Sequence, residues 1–168
     1  MHRRDLLSGV SAGLGLALLP ALTLPAPTAH AADDTGMQLL RVLLEGLNAR
    51  DVTVFDRVYA AQGFVQHQAV GGPAGPADIR AAVKGYFGQR FAAFPDYQVR
   101  SDISFGCGDL VCANLIQSGT QRGNYLGVPA TGKHVTFNST DIWRVREGMF
   151  VEHWGAADLA RLLRQLKG

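Results

Sequence analysis

Apolar residues recur along this chain in two rhythms, and the change from one to the other divides it. Leu39, Leu40, Val42, Leu43, Leu44 and Leu47 crowd residues 37–47 at the density of a buried helix, behind a frayed start over 32–36. Asp51 is placed to cap a second, short helix carrying Val54, Phe55, Val58 and Tyr59. Residues 64–67 read as a short strand. The Gly- and Pro-rich stretch 71–76 reads as a loop whose Pro76 suits the first turn of the next helix. That helix sets Ile79, Val83, Tyr86/Phe87, Arg90/Phe91 and Phe94 on one face and ends at Pro95-Asp96. Beyond it the period falls to two, the spacing of strands. Residues 97–105 and 110–120 predict a hairpin, 123–132 a loop, 134–145 a long strand and 149–154 a last one. Residues 158–166 close the chain as a helix striped by Leu159, Leu162, Leu163 and Leu166. Helices first and consecutive antiparallel strands after predict an α+β fold, with the helices on one face of a curved sheet.

The first stretch follows a different plan. Arg3 and Arg4 precede an apolar run over 6–24, and Ala29-His30-Ala31 offers small residues where a signal peptidase reads. This predicts an export signal cleaved after Ala31, leaving residues 32–168 as one domain in the periplasm or outside the cell. The Arg pair resembles a twin-arginine signal, although Leu6 stands where Phe is usual, so the general secretory route stays open. Pro20, Pro25 and Pro27 break the run and argue against a membrane anchor. No later run approaches the roughly 20 apolar residues of a membrane span.

Composition sharpens this picture. The chain has 168 residues, 47% hydrophobic and 18% charged, with a formal net charge of +2, and it carries no run of Lys and Arg. A nucleic-acid partner is therefore not expected. The two cysteines, Cys107 and Cys112, flank the turn signal Gly108-Asp109. Export allows them to pair, and two small buried residues at a hairpin end fit the pattern equally well.

Candidate chemistry gathers on the last two strands. Arg146-Glu147-Gly148 fits a three-residue hairpin loop with Gly148 in the left-handed position. In that register Val145 meets Met149, Trp143 meets Val151 and Asp141 meets His153, whereas a two-residue loop would pair Asp141 with Trp154 and break the arrangement. Directly opposed residues have Cβ atoms about 4.5–5.5 Å apart, so carboxylate and imidazole would touch. Asp141 shares its face with Phe137, Trp143 and Val145, which makes it a candidate general acid/base. A buried Asp–His pair that only fixes strand register fits the same pattern. His67, at the end of the first strand, is a third candidate, and a solvated edge histidine is its plainer reading.

Other chemistries lack their signatures. No HxH or HExxH pair supports a metal site, and His134 at a strand start is expected to be exposed. No phosphate loop and no GxSxG elbow is present.

Several segments then occur in a telling order: GPADIR over 75–80, FPD over 94–96, GNYLGVPATGK over 123–133, DIWRV over 141–145 and EHW over 152–154. In this order they resemble the SnoaL-like polyketide cyclase (ester cyclase) branch of the NTF2-like superfamily, over roughly residues 37–168. The resemblance implies a cone-shaped α+β barrel whose curved sheet and helices close an internal pocket. It implies cofactor-free, metal-free acid/base chemistry, an aldol-type cyclisation or an isomerisation, on a small hydrophobic carbonyl compound. Asp141 would move the proton and His153 would orient it. His67, Tyr86, Phe87, Phe91, Trp143 and Trp154 would line the substrate pocket. The resemblance also implies a homodimer, since relatives often pair through the outer sheet face. Gln68, Gln121 and Gly155 depart from the family by being neutral where many relatives carry ionisable side chains. These losses give a second reading, an exported module that binds a small molecule in the same pocket without chemistry.

Overall fold

The computed structural model describes residues 29–67 and 79–168. The expected export signal, apart from its last residues, lies outside them, as do the 71–76 loop, Pro76 and Gln68. The elements run α1 (Ala29–Asn48), α2 (Val54–Val58), β1 (Val65–Gln66), α3 (Ile79–Ala93), β2 (Gln98–Cys107), β3 (Leu110–Thr120), β4 (His134–Arg146), β5 (Met149–Ala157) and α4 (Leu159–Lys167). The strands form one curved, unclosed sheet in the order β1-β5-β4-β3-β2, antiparallel except where β1 lies parallel to β5.

Period-two alternation sets the inner face. Val111, Ala113, Leu115 and Gln117 of β3 point inward beside Val135, Phe137, Ser139, Asp141, Trp143 and Val145 of β4. Leu39, Leu40, Leu43 and Leu47 of α1, with Val54, Phe55 and Val58 of α2, complete one hydrophobic core against that face. Apolar burial at roughly 25 cal/mol per Å² drives this closure. The three polar residues of the inner row are the exceptions that matter below.

The first helix starts earlier than periodicity predicts. Residues 32–36 are helical, although Gly36 reads as a breaker. Gly36 is buried, and a Cβ there would lie 2.3 Å from Val111 Cγ2. The glycine thus lets the α1 backbone settle directly on β3, and that tertiary contact outweighs its low helix propensity. The expected processing point after Ala31 falls in the first turn of α1. Asp51 Oδ1 accepts from the Thr53 amide at 2.8 Å and from its hydroxyl at 2.6 Å, closing the turn into α2.

The first hairpin fixes where the cysteines stand, and the second departs from the expected register. In the first, Cys107 pairs with Leu110 and Cys112 with Phe105, both thiols are free, and Cys107 is exposed rather than buried. In the second, the turn has two residues, not three. Glu147 (φ 50) and Gly148 (φ 72) both adopt positive φ, the geometry that matches strand twist in a two-residue turn. Arg146 faces Met149 and Val145 faces Phe150; a bulge then leaves Val151 unpaired, so that Arg144 faces Glu152, Trp143 faces His153 and Asp141 faces Gly155. The expected pairs Trp143–Val151 and Asp141–His153 are each displaced by two residues. Two is the period of a strand, so Asp141, Trp143 and His153 keep their expected face, whereas the one-residue shift at Val145 turns Phe150 inward in place of Met149.

The 121–133 loop is organised by one residue. Gln121 is 0% exposed; its Nε2 donates to the Val128 carbonyl at 2.9 Å, and its Oε1 accepts from the Thr131 amide and hydroxyl at 3.1 and 2.7 Å. Gln121→Ala is expected to lower unfolding stability by about 2 kcal/mol, because buried loop groups lose their partners. Urea denaturation reads this, and a change below about 0.5 kcal/mol would contradict the loop's dependence on it.

Asp96, just past α3, ties that helix to β3. It accepts from the Thr120 amide at 2.6 Å and hydroxyl at 2.7 Å, and these bonds, the amide first, hold its carboxyl below the ordinary range. A depressed folded-state value means the stabilisation is complete above the ordinary carboxylate range and fades as pH falls through the folded value. Asp96→Asn is therefore expected to flatten the acid limb of the Tm–pH curve below about pH 4. Solvent screening limits the effect to about 1 kcal/mol, and an unchanged acid limb would refute it. At the chain end, Asp158 caps α4 by accepting from the Arg161 amide at 2.8 Å. Gln165 clips the helix to the Thr136 backbone of β4.

Candidate active site

The inner sheet face and helices α1, α2 and α3 line a partly open pocket with a cavity volume of about 80 Å³. Its walls are mostly apolar and aromatic, among them Leu43, Phe55, Tyr59, Phe87 and Trp143. The polar or charged side chains of Gln66, Arg90, Gln117, Ser139, Asp141 and His153 also line it, convergent polar groups of the kind that orient a small molecule.

Asp141 stands on β4 within this apolar row. Its Oδ1 lies 3.0 Å from His153 Nε2, and its Oδ2 accepts from the Ser139 hydroxyl at 2.6 Å. Residues 139 and 141 are alternate positions of one strand, so the serine is a same-face neighbour. His153 stands two residues before Gly155, which faces Asp141, and its ring stacks on that of its own partner Trp143 at 5.1 Å between centroids. His153 Nδ1 lies 3.0 Å from Gln66 Nε2 and 3.1 Å from Gln66 Oε1. The amide can thus donate to a neutral imidazole or accept from a charged one. The parallel pairing of β1 with β5 brings Gln66 there.

Gly155 makes this contact possible. A Cβ at that position would lie 2.7 Å from Asp141 Oδ1, 2.7 Å from His153 Cε1 and 2.9 Å from His153 Nε2. The imidazole reaches across the strand through the space a side chain would fill.

The α3 end of the pocket holds a second polar group. Arg90 is 2% exposed; its Nε donates to the Tyr125 hydroxyl at 2.9 Å, its Nη1 to Gln117 Oε1 at 2.6 Å and its Nη2 to the Tyr86 hydroxyl. Burial pushes the Tyr97 phenol up to about 12, so it keeps its proton and donates to Gln117 Oε1 at 2.7 Å. Gln117 Nε2 then donates to Ser139 Oγ at 2.8 Å. A continuous chain of hydrogen bonds therefore runs Arg90–Gln117–Ser139–Asp141–His153. On another wall, Trp143 Nε1 donates to the Tyr59 hydroxyl at 3.2 Å, whose ionisation burial opposes.

No group of three or more His, Cys, Asp or Glu side chains converges among the described residues. No helix among them is long and apolar enough to cross a membrane.

The family model of SnoaL-like polyketide cyclases matches residues 37–166. The chain belongs to the SnoaL-like polyketide cyclase family. Solved structures agree on the fold. IdmH, a proposed polyketide cyclase of Streptomyces antibioticus, is 29% identical with a TM-score of 0.67, covering 79% of this chain and 99% of its own. TsrD of Streptomyces laurentii is 24% identical with a TM-score of 0.70, covering 79% and 95%. A proposed SnoaL-like polyketide cyclase from a Jannaschia species is 18% identical with a TM-score of 0.69, covering 82% and 94%. Among curated proteins none matches.

Within this SnoaL-like fold the expected site residues separate into three groups. Asp141 and His153 meet, and Tyr86, Phe87 and Trp143 line the pocket with them. Phe91 stands behind the wall, its ring between those of Phe87 and Tyr97. His67 and Trp154 lie elsewhere. They stack on each other at 4.7 Å, and His67, which is exposed, bonds Glu152 at 2.8 Å. Alternation is the reason: if Gln66 and His153 face inward, their chain neighbours His67 and Trp154 face outward. His134 is exposed as expected. Gln121 is a loop-organising residue and does not line the pocket, so its neutrality removes no ionisable group from the site.

Sequence reading missed Arg90, Gln117, Ser139, Gln66 and Tyr97. Two of them had a signal. In the inward rows of the SnoaL-like sheet, Gln117 and Ser139 interrupt otherwise apolar positions, and a polar residue there needs a buried partner.

Proposed function

We propose that this protein is an exported, cofactor-free acid/base enzyme of the SnoaL-like type, acting on a small hydrophobic carbonyl compound. Asp141 takes a proton from the carbon next to the carbonyl. The electron pair of that C–H bond moves into the carbonyl as an enolate, which closes a ring by adding to a second carbonyl carbon or is reprotonated elsewhere as an isomer. The proton then returns from Asp141 to the product. His153 holds the carboxylate in place through Nε2, and Ser139 holds its other oxygen. The observation that carries this reading is the Asp141–His153 contact at 3.0 Å, set in an aromatic pocket. A carboxylate with both oxygens anchored on one side still has lone pairs for a substrate proton. Tyr86, Phe87 and Trp143 would hold the substrate skeleton. Export rests on Arg3, Arg4 and the apolar run that follows; recovery of secreted protein beginning at Ala32 would support it.

Deuterium uptake at the α-carbon of α-tetralone and methyl β-naphthyl ketone in heavy water, followed by proton NMR, tests the chemical step. Exchange well above that of the unfolded protein is expected. Saturable ketone binding with no faster exchange would overturn catalysis and leave a binding module.

A further inference from the structure

We propose that the α3 end of the pocket is a subsite for an anionic oxygen, with Arg90 as its receptor, so that the ligand is a flat apolar molecule bearing a carboxylate or acidic enolate away from the carbon facing Asp141. This deepens the acid/base reading and rests on it for the orientation, but not for the subsite itself.

The argument begins with a buried charge. A guanidinium stays protonated at any working pH, and taking it from water costs several kcal/mol unless a partner compensates. Arg90 is 2% exposed. Its three hydrogen bonds go to neutral oxygens of Tyr125, Gln117 and Tyr86. No carboxylate among the described residues forms an ion pair with it, while the less buried Arg57 has one carboxylate partner and Arg144 has two. The Tyr97 hydroxyl, also neutral, is within hydrogen-bonding influence of the same guanidinium. Aromatic faces supply part of the compensation, with the cation 4.6 Å from the Tyr86 ring centre and 5.1 Å from that of Phe87. Asp141 is reached only through Gln117 and Ser139.

The site is therefore a lined cavity with a buried cation at one end that has no carboxylate partner among the described residues, and a buried carboxylate in its wall. An anionic oxygen at Arg90 would make a charge-assisted hydrogen bond to the guanidinium. Asp141 repels the same group, so the ligand has one orientation: its anion at α3, its apolar body along the aromatic wall, its acidic C–H at β4.

Calorimetric titration of the full chain with β-naphthoate and with its neutral counterpart, methyl β-naphthyl ketone, tests this without turnover. The wild type is expected to prefer the carboxylate by about tenfold or more, as hydrogen bonds to a charged group imply. Raising the salt should leave the preference largely intact, since a buried pair is weakly screened. Arg90→Gln should abolish the preference. Arg90→Lys, which keeps the charge but not the fork, should retain part of it and serves if the glutamine variant does not fold. Equal affinities, a preference for the ketone or no naphthoate binding in the wild type would overturn the subsite. So would a carboxylate preference that survives in Arg90→Gln. Asp141→Asn should bind naphthoate at least as tightly as wild type. If wild type binds naphthoate selectively but drives no α-carbon exchange, the acid/base reading fails and the subsite stands.

Discussion

Asp141→Asn is expected to slow α-carbon exchange by about 10²–10⁴-fold, the usual worth of a positioned general base. The amide has the same shape and still offers one oxygen, so either the Ser139 hydroxyl or His153 Nε2 keeps an acceptor. It has no basicity to receive a carbon-bound proton. The loss should fall on kcat, because shape and apolar contacts in the pocket are unchanged. Proton NMR exchange rates with α-tetralone measure the effect, and a thermal melt within a few degrees of wild type shows that the fold survives. Retention of exchange within about twofold would remove Asp141 from the chemistry.

Gly155→Ala should be nearly as damaging, although it adds one methyl group. Its Cβ would sit 2.7 Å from Asp141 Oδ1 and from His153 Cε1, well inside contact distance. The obstructing atoms are side-chain ends, not backbone, so β5 keeps its pairing and the Asp–His contact gives way instead. Exchange should fall by about 10²-fold, the order expected when a catalytic group is displaced by an ångström. The stability cost should stay near about 1 kcal/mol, at the low end for overpacking. A change in the His153 imidazole ¹⁵N shifts would report the broken contact directly. Unaltered shifts together with unaltered exchange would show that the site tolerates the methyl.

The fold was legible wherever periodicity was unbroken. The leucine clusters of α1 and α4, the α3 face and the long strands β3 and β4 all carry one clear rhythm. The Asp141–His153 contact was reached by an argument whose turn was wrong. A two-residue turn alone would have put Asp141 opposite Trp154, and the bulge at Val151 moved the pairing on to Gly155 and restored the face. Nothing in the residues around 151 marks a bulge, since no Gly or Pro stands there. His67 and Trp154 were drawn into the pocket by chemical type, against the alternation that excludes them. Arg90 was read as one position of an apolar helix face. Its burial became visible only once β3 supplied Gln117 and the loop supplied Tyr125.

The hydrogen-bond chain behind Asp141 also decides where a proton cannot go. Gln117 presents its amide nitrogen to Ser139, and Ser139 spends its only hydrogen on Asp141. If Asp141 passed a proton to that serine, the serine would have to hand one on to a group that only donates. Turning the Gln117 amide would open the route, but would take its oxygen from Arg90 and Tyr97 together. The chain is a dead end. Under the proposed chemistry, a proton taken up by Asp141 therefore has no onward route through Ser139.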